Sequence, residues 1–381
     1  MSHRNNPLFP IEHNLLGEAT VIRAVIMVTT DQMADAIQFA REALALLAED
    51  NLYLRSLAAM ILGVAYRVTG ELSTAQQMLT HGIEAGIRSH NLIWTLAGLY
   101  YLADLLMEQG RLRQAWEHLQ RGLAWVNRPE SGWPWPVVDS IQVGLGRLQY
   151  EWNELETAHQ NLTTGIELAQ QRSNGDIILD GYIVQAWVYQ AQGQSDQAEA
   201  ALVEAAQAAQ NTLRLRSARA VAAQQARHWL RQGDYQRAGR WAEESGLNPN
   251  DMVDYSRELE YLTLARALIA QGNGGARQVW SLLTRLHQAA EVDGRTQRVI
   301  EALILQALAL AQQGEGEQAI LPLTQALTLA EPENFIRIFV DEGPPLAVLL
   351  KKMKAQEADE MLHPKGYIDK LLAAFEAEAR I

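Results

Sequence analysis

Large polar and aromatic side chains recur along this sequence at an almost constant interval. Arg147, Trp187, Arg227 and Arg266 are separated by 40, 40 and 39 residues, as equivalent positions of a repeated structure would be. An arginine guanidinium binds carboxylates and phosphates through paired hydrogen bonds, and an indole offers a flat face to a ring or a cation. We therefore predict a binding surface for a polyol, a sugar or an anionic effector. The predicted ligand-binding residues are Tyr100, Asp104, Arg147, Tyr150, Trp187, Arg227 and Arg266.

Residues that could support catalysis or bind a metal are not grouped in this way. The nine histidines are scattered, without an H-E-x-x-H motif or a pair four residues apart, and the chain has no cysteine. Neither a G-x-x-x-x-G-K-[ST] phosphate loop nor a G-x-S-x-G nucleophile motif occurs, and "GNGGA" (272–276) is interpreted as a turn. The sequence therefore predicts no enzyme, with no catalytic residue, no metal site and no cofactor.

Two alternatives to this binding surface remain open. The same side chains could be solvated or ion-paired residues of a groove, without a binding role. Trp133 and Trp135 lie in "SGWPWPV" (131–137), within the longest join of the chain, and could form the lip of a binding site. Aromatic side chains in such a join more often pack between neighbouring elements.

A repeated phrase accounts for the regular spacing. It consists of a helix-breaking residue followed five positions later by alanine, as in "YRVTGELSTAQQML" (66–79) and "YQAQGQSDQAEAAL" (189–202). Successive breaking residues are 39 to 43 positions apart, which is typical of a helical solenoid. We call them the turn residues: Asp31, Gly70, Gly110, Asn153, Gly193, Gly233, Gly272 and Gly314.

Small residues at fixed distances from each turn residue indicate closely packed helix pairs. Seven positions before it, and five after it, nearly every repeat has alanine or glycine, as at Ala186 and Ala198 around Gly193. Small side chains at these positions allow two antiparallel helices to approach each other. We therefore predict an all-α, right-handed superhelical solenoid with about eight helix pairs, followed by capping helices at the C-terminus.

The second repeat matches a known motif in detail. Leu62, Gly63, Tyr66, Gly70 and Ala75 stand at the spacing of the tetratricopeptide motif, although the interval near 40 residues exceeds the usual value of about 34. Longer second helices or longer joins are therefore expected. In tetratricopeptide folds the first helix of each pair lines the concave groove, so we expect the predicted ligand-binding residues to face that groove.

Composition restricts the function further. The formal net charge is −13, so the surface as a whole repels nucleic acid and anionic lipid. No apolar run approaches the roughly 20 residues that a membrane span needs, and the absence of cysteine fits a reducing compartment. We expect a cytoplasmic protein without direct contact to nucleic acid or membrane.

The end of the chain resembles that of one family of regulators. The phrase "AEPENFIRIFVDEG" (330–343) is followed by the helical patterns "PPLAVLLKKM" (344–353) and "YIDKLLAAF" (367–375). Together with the repeats, this ending is similar to the tetratricopeptide-like sensor region of MalT-like, LuxR-type transcriptional activators, which carry a STAND-type nucleotide switch. We accordingly expect an N-terminal extension (1–14), the repeats (15–330) and C-terminal capping helices (331–381).

One segment of that ending has an ambiguous pattern. Residues 333–340 alternate in polarity like a short strand before the turn-forming "DEGPP" (341–345). The resemblance implies a helix instead, with Phe335 and Phe339 one turn apart on its buried face. Pro344 and Pro345 then open the next helix, where proline is well placed.

The resemblance also implies a role for the chain. Members of the family have a nucleotide-binding module before the sensor region and a helix-turn-helix module after it. In this sequence no lysine precedes Lys351, and only six residues follow Phe375. We therefore expect an isolated effector-sensing domain that neither hydrolyses ATP nor binds DNA. Its expected partner is a small-molecule inducer, either a sugar or an anion, or a regulatory protein or peptide; the alternative is a scaffold whose groove binds a peptide.

Overall fold

Helices form the whole architecture that a computed structural model describes, over residues 9–126, 138–212, 215–272, 276–356 and 365–380; no strand occurs in these ranges. The first eight helices are α1 (Phe9–Thr29), α2 (Met33–Leu46), α3 (Leu52–Thr69), α4 (Leu72–Arg88), α5 (Leu92–Glu108), α6 (Leu112–Val126), α7 (Asp139–Glu151) and α8 (Leu155–Gln171). They are followed by α9 (Gly175–Ala191), α10 (Ser195–Asn211), α11 (Leu215–Arg231), α12 (Tyr235–Glu244), α13 (Glu258–Gln271), α14 (Ala276–Val292), α15 (Thr296–Gln312) and α16 (Ile320–Ala330). The chain ends in α17 (Arg337–Val340), α18 (Pro344–Gln356) and α19 (Lys365–Glu378).

These helices confirm the predicted solenoid. The helices α1 to α16 form eight consecutive pairs, and each pair packs on the next through its second helix, as α2 does on α3 and α4 on α5. The helix α3 is long and apolar enough to cross a membrane by length and composition alone. It is half buried, between α2 and α4, which is the environment of a core helix.

The turn residues end the first helix of each pair in the predicted way. All eight have a positive φ, from 64° at Asp31 and Asn153 to 87° at Gly70. This left-handed conformation is open to glycine and tolerated by asparagine and aspartate. It lets the backbone reverse direction: in the first six pairs only two or three residues separate the two helices, whereas seven residues separate α15 from α16.

The predicted small residues lie where the paired helices touch. Ala186, Ala198 and Ala226 are almost completely buried. A Cβ atom built on Gly63 would lie 2.5 Å from Leu79 Cγ, and one built on Gly146 would lie 2.6 Å from Leu162 Cγ. Any larger residue at either glycine would therefore force the two helices of the pair apart.

The solenoid curves until distant pairs meet. The helix α5 contacts α15, and α7 contacts α17. The Tyr255 hydroxyl donates a hydrogen bond of 3.3 Å to Glu108 Oε2, 147 residues earlier in the chain. The odd-numbered helices thus face one another across the axis of the superhelix, and we call their facing surface the inner wall.

We call residues 331–356 and 365–380, which follow α16, the C-terminal segment. Its first part, 333–340, is helical only over some of the residues for which a helix was predicted. The α-helical backbone covers 337–340, whereas Asn334 is left-handed (φ 58°) and Ile336 has φ −122° and ψ −54°. The expected continuous helix over 333–340 is therefore wrong in its first half, because Asn334 reverses the chain there. Phe335 and Phe339 are nevertheless both fully buried, and α18 begins at Pro344 as expected.

Candidate functional site

The predicted ligand-binding residues all lie on first helices of the pairs. Tyr100 and Asp104 are on α5, Arg147 and Tyr150 on α7, and Trp187, Arg227 and Arg266 on α9, α11 and α13. The structure distributes them over connected clusters of polar side chains on the inner wall. In most of these clusters the partner side chain comes from another helix pair or from the C-terminal segment.

Asp104 is the centre of the first cluster. Its carboxylate forms ion pairs with Arg67, whose Nη1 lies 2.8 Å from Oδ2, and with Arg147. Arg67 Nη1 also lies 2.8 Å from Glu108 Oε1. Burial opposes the charged form of Asp104, but the two arginines outweigh it and hold the pKa of this carboxyl below its usual value. Arg147 is therefore ion-paired, although about a fifth of its side chain remains exposed.

Tyr100 belongs to a neighbouring contact between the third and fifth pairs. Its hydroxyl donates a hydrogen bond of 2.6 Å to Asp180 Oδ2. Burial raises the pKa of Asp180 to about 6, and it also raises the pKa of Tyr100 well above its ordinary value. The tyrosine thus stays protonated and acts as a hydrogen-bond donor.

Tyr150 and Trp187 form an aromatic patch in the middle of the inner wall. Their ring centroids are 5.6 Å apart with planes tilted by 39°. The Tyr150 hydroxyl donates to Asp341 Oδ2 at 2.5 Å, and Trp187 Nε1 donates to Gln224 Oε1 at 3.1 Å. The patch therefore joins α7, α9 and α11 to the C-terminal segment.

Arg266 lies in a further cluster, where it pairs with two carboxylates. Its Nη2 donates to Glu301 Oε1 at 2.7 Å, and its Nε donates to Glu342 Oε1 at 3.0 Å. Burial opposes ionisation of Glu301, but Arg266, Arg298 and Arg227 outweigh it, so the pKa of Glu301 is strongly lowered. With 9% of its side chain exposed, Arg266 has little access to an external ligand.

Arg227 is paired less closely than Arg147 and Arg266. Its Nη1 lies 3.7 Å from Glu301 Oε1, beyond hydrogen-bond distance, and 23% of the side chain is exposed. Within the ranges that the structure describes, its guanidinium makes no hydrogen bond. Burial and the positive charge of Arg266 lower the pKa of Arg227, so this cation has less compensation than its neighbours.

Sequence reasoning missed the partners that the C-terminal segment supplies. Asp341 Oδ1 pairs with Arg231 Nη1 at 2.8 Å and with Arg337 Nη2 at 2.5 Å, and Arg337 Nη1 contacts Glu378 Oε2 at 2.8 Å. Arg337 is almost fully buried, with its guanidinium 5.4 Å from the Tyr150 ring centroid. The terminal phrase had carried a family signal, but nothing in it marked Arg337 and Asp341 as residues that fill the inner wall.

A buried carboxyl anchors the same segment. The backbone N–H of Ile338 donates to Glu151 Oε1 at 3.0 Å, and the N–H of Ile336 donates to the Glu151 carbonyl oxygen at 3.1 Å. Burial raises the pKa of Glu151 to about 8. At neutral pH this side chain is therefore mostly a neutral acid inside the protein.

Two further sequence features have different outcomes. Trp133 and Trp135 lie outside the residues that the structure describes. Among the described residues, no group of three histidine, aspartate or glutamate side chains could hold a metal ion. The described part of the inner wall thus presents charged pairs, two tilted aromatic rings and the partly exposed guanidinium of Arg227.

Comparison with known proteins identifies the relatives of this chain. A family profile described as "MalT-like TPR region" matches residues 17–356. The HTH-type transcriptional regulator MalT of Yersinia enterocolitica is 24% identical over 354 residues, which are 90% of this chain and 38% of the relative. MalT of Yersinia pestis is 23% identical over 350 residues, with the same coverage.

The shared region is therefore a part of those proteins, since the chain spans 38% of the length of these curated relatives. Among solved structures, the TPR domain of P58(IPK) aligns with 96% of this chain and 98% of its own, at 14% identity and a TM-score of 0.28. Because the profile matches most of the chain, from within α1 to the end of α18, the chain belongs to the family of MalT-like TPR regions.

Proposed function

We propose that this chain is the effector-sensing domain of a MalT-like transcriptional regulator and works in the cytoplasm. The effector is a small inducer with an anionic or sugar-like group, or a regulatory protein, and it binds on the inner wall around Arg227. The single observation that carries the proposal is the weak compensation of that guanidinium. Arg227 is partly exposed and lacks a hydrogen bond among the described residues, whereas Arg147 and Arg266 are closely paired.

The surroundings of Arg227 support a binding role. Gln224 lies one turn before it on α11 and holds the indole of Trp187 at 3.1 Å. A ligand at Arg227 would thus meet a guanidinium with free N–H donors, an amide and an aromatic edge. These are the few oriented polar groups and the apolar surface that a small-molecule site needs.

Binding at this place can be transmitted, because the inner wall is continuous with the C-terminal segment. Arg227 shares Glu301 with Arg266, and Arg266 in turn binds Glu342. An anion that pairs with Arg227 would shift the balance of charge on Glu301 and hence on Glu342. The C-terminal segment is therefore the element that would report an occupied inner wall to a neighbouring module.

A second candidate function is a scaffold that binds an acidic peptide. It is favoured by the way the inner wall already holds a turn of its own chain that carries two acidic side chains. Asp341 and Glu342 of this segment bind Arg231 and Arg266 as the side chains of an acidic peptide would.

The test is a thermal-shift screen with sugars, sugar phosphates, nucleotides and acidic peptides, followed by calorimetry on each hit. A ligand at 100 times its dissociation constant adds about 2.7 kcal/mol of stability. We expect Arg227→Ala to weaken binding by about 1.5–3 kcal/mol, the value of a hydrogen bond to a charged group. Arg240→Ala is the matched control, because Arg240 is exposed on the second helix α12. Equal affinities of the parent and both variants would exclude the inner wall around Arg227.

A further inference from the structure

The first helix of the solenoid carries an apolar stripe that no described part of the chain covers. Leu15, Ala19, Ile22 and Ile26 are spaced by four, three and four residues, so they lie along one face of α1. Leu15, Ile22 and Ile26 are 58%, 63% and 49% exposed, and Ala19 is exposed as well. A stripe with this spacing is the pattern of a helix that packs against another helix.

In the later repeats, the positions equivalent to this stripe are covered by neighbouring helices. Ile26 stands five positions before the turn residue Asp31, and the equivalent residue of every later pair is buried. These equivalents are Ala65, Leu105, Leu148, Val188, His228, Ala267 and Ala309. Each of those first helices follows a preceding pair, whereas α1 is the first helix that the structure describes.

The position of Ala19 makes the comparison specific. It stands twelve positions before its turn residue, where the third and fifth pairs have Gly98 and Gly181. A large side chain from the second helix of the preceding pair fills the space above each glycine. A Cβ atom on Gly98 would lie 2.7 Å from Ile83 Cγ1 of α4, and one on Gly181 would lie 2.6 Å from Ile166 Cγ1 of α8.

We propose that the α1 stripe is the docking site for an amphipathic helix of a neighbouring module, which packs on α1 as a second helix packs on each later first helix. That helix places a large aliphatic residue over Ala19, in the way that Ile166 covers Gly181. The docked helix therefore stands in front of the first pair, in the position that the second helix of a preceding pair has in every later repeat. This inference concerns a different surface from the inner wall and does not depend on the proposed function.

The size of the stripe favours a helix of the same polypeptide over a second copy. The 21 residues of α1 span roughly 30 Å, so one face about 10 Å wide offers roughly 300 Å². A stable dimer buries about 800 Å² on each partner. A helix tethered within one chain needs less area, because its effective concentration is in the millimolar range. The curated relatives are long enough to supply one, since the matched region is 38% of their length.

A helical peptide with the sequence of α8 (155–171) is a suitable probe, because α8 covers the same positions of α9. A hydrocarbon staple between positions 156 and 160, both of which are exposed in the protein, would keep it helical, as circular dichroism would verify. We expect saturable binding of the labelled peptide to the full chain by fluorescence anisotropy. Ile22→Glu in the protein, or Ile166→Glu in the peptide, should weaken binding at least tenfold.

The control variant is Val348→Glu, which places the same charge on another exposed apolar position, 65% exposed on α18, and should leave binding unchanged. Absence of binding by a verified helix up to about 1 mM would overturn the proposal, as would equal binding to the Ile22→Glu chain. Sedimentation velocity distinguishes the other occupant. A dimer of the parent chain that Ile22→Glu dissociates would show that a second copy covers the stripe, and the module helix would then be rejected.

Discussion

Replacement of Glu151 by glutamine tests how the C-terminal segment is held. Glu151 is 6% exposed and binds the backbone N–H of Ile338 through Oε1. Glutamine has the same shape and keeps an oxygen that can accept this hydrogen bond, but it cannot ionise. The substitution therefore removes the titration of one buried carboxyl and leaves the packing of the segment nearly unchanged.

The expected magnitude follows from the pKa of Glu151, which burial raises from 4.5 to about 8. Between these two values the folded protein retains a proton that the unfolded chain has released. The stabilisation is therefore fully present below pH 4.5 and is lost as the pH rises through about 8. Each unit corresponds to about 1.4 kcal/mol, so the parent should lose about 5 kcal/mol from this group over the whole interval.

The assay is urea unfolding of the parent and Glu151→Gln at pH 5, 7 and 9. All other titrating groups are common to both chains and cancel in the difference. We expect the variant to gain several kcal/mol on the parent between pH 5 and pH 9. Glu156→Gln, at an exposed position of α8, is the matched control and should follow the parent. A constant difference between Glu151→Gln and the parent at all three pH values would refute a neutral, buried Glu151.

Two further predictions concern packing and charge. Ala186→Leu should cost about 1–3 kcal/mol in urea unfolding by overpacking the contact of α9 with α10, since Ala186 is 2% exposed; an unchanged midpoint would contradict the assigned interface. Asp341→Asn should cost about 3 kcal/mol, because it leaves Arg337 and Arg231 under-compensated. Asp369→Asn, which breaks an ion pair of two side chains that are each 53% exposed, should cost less than about 1 kcal/mol; similar losses for the two would refute a buried charge cluster.

The sequence was a good guide to local structure and to the contacts within a pair. Asp31 and Asn153 were identified as turn residues although neither is glycine, and both have the left-handed conformation that this role needs. Gly63 and Gly146 were placed at contacts between helices and lie there. These features repeat at a fixed interval, so each is supported by its equivalents along the chain.

The composition of the inner wall was less accessible to sequence reasoning. Tyr150 and Asp341 are 191 residues apart in sequence and 2.5 Å apart in space. Their contact depends on the curvature of the solenoid, which accumulates from small rotations between successive pairs. No periodic pattern encodes that sum. For the same reason Arg266 was expected to face an open groove, whereas it is paired with Glu301 and Glu342.

Closure of the inner wall by the C-terminal segment has a consequence for synthesis of the protein. Arg231 is made 110 residues before its partner Asp341, and Arg266 is made 76 residues before Glu342. At translation rates of about 5–20 residues per second, the delay for the first of these pairs is roughly 5–20 s. During that time the helix pairs can stack on the ribosome, but their inner arginines lack the carboxylates that later compensate them. The C-terminal segment thus supplies the carboxylates that pair with Arg231 and Arg266 after the helices that carry these arginines have formed.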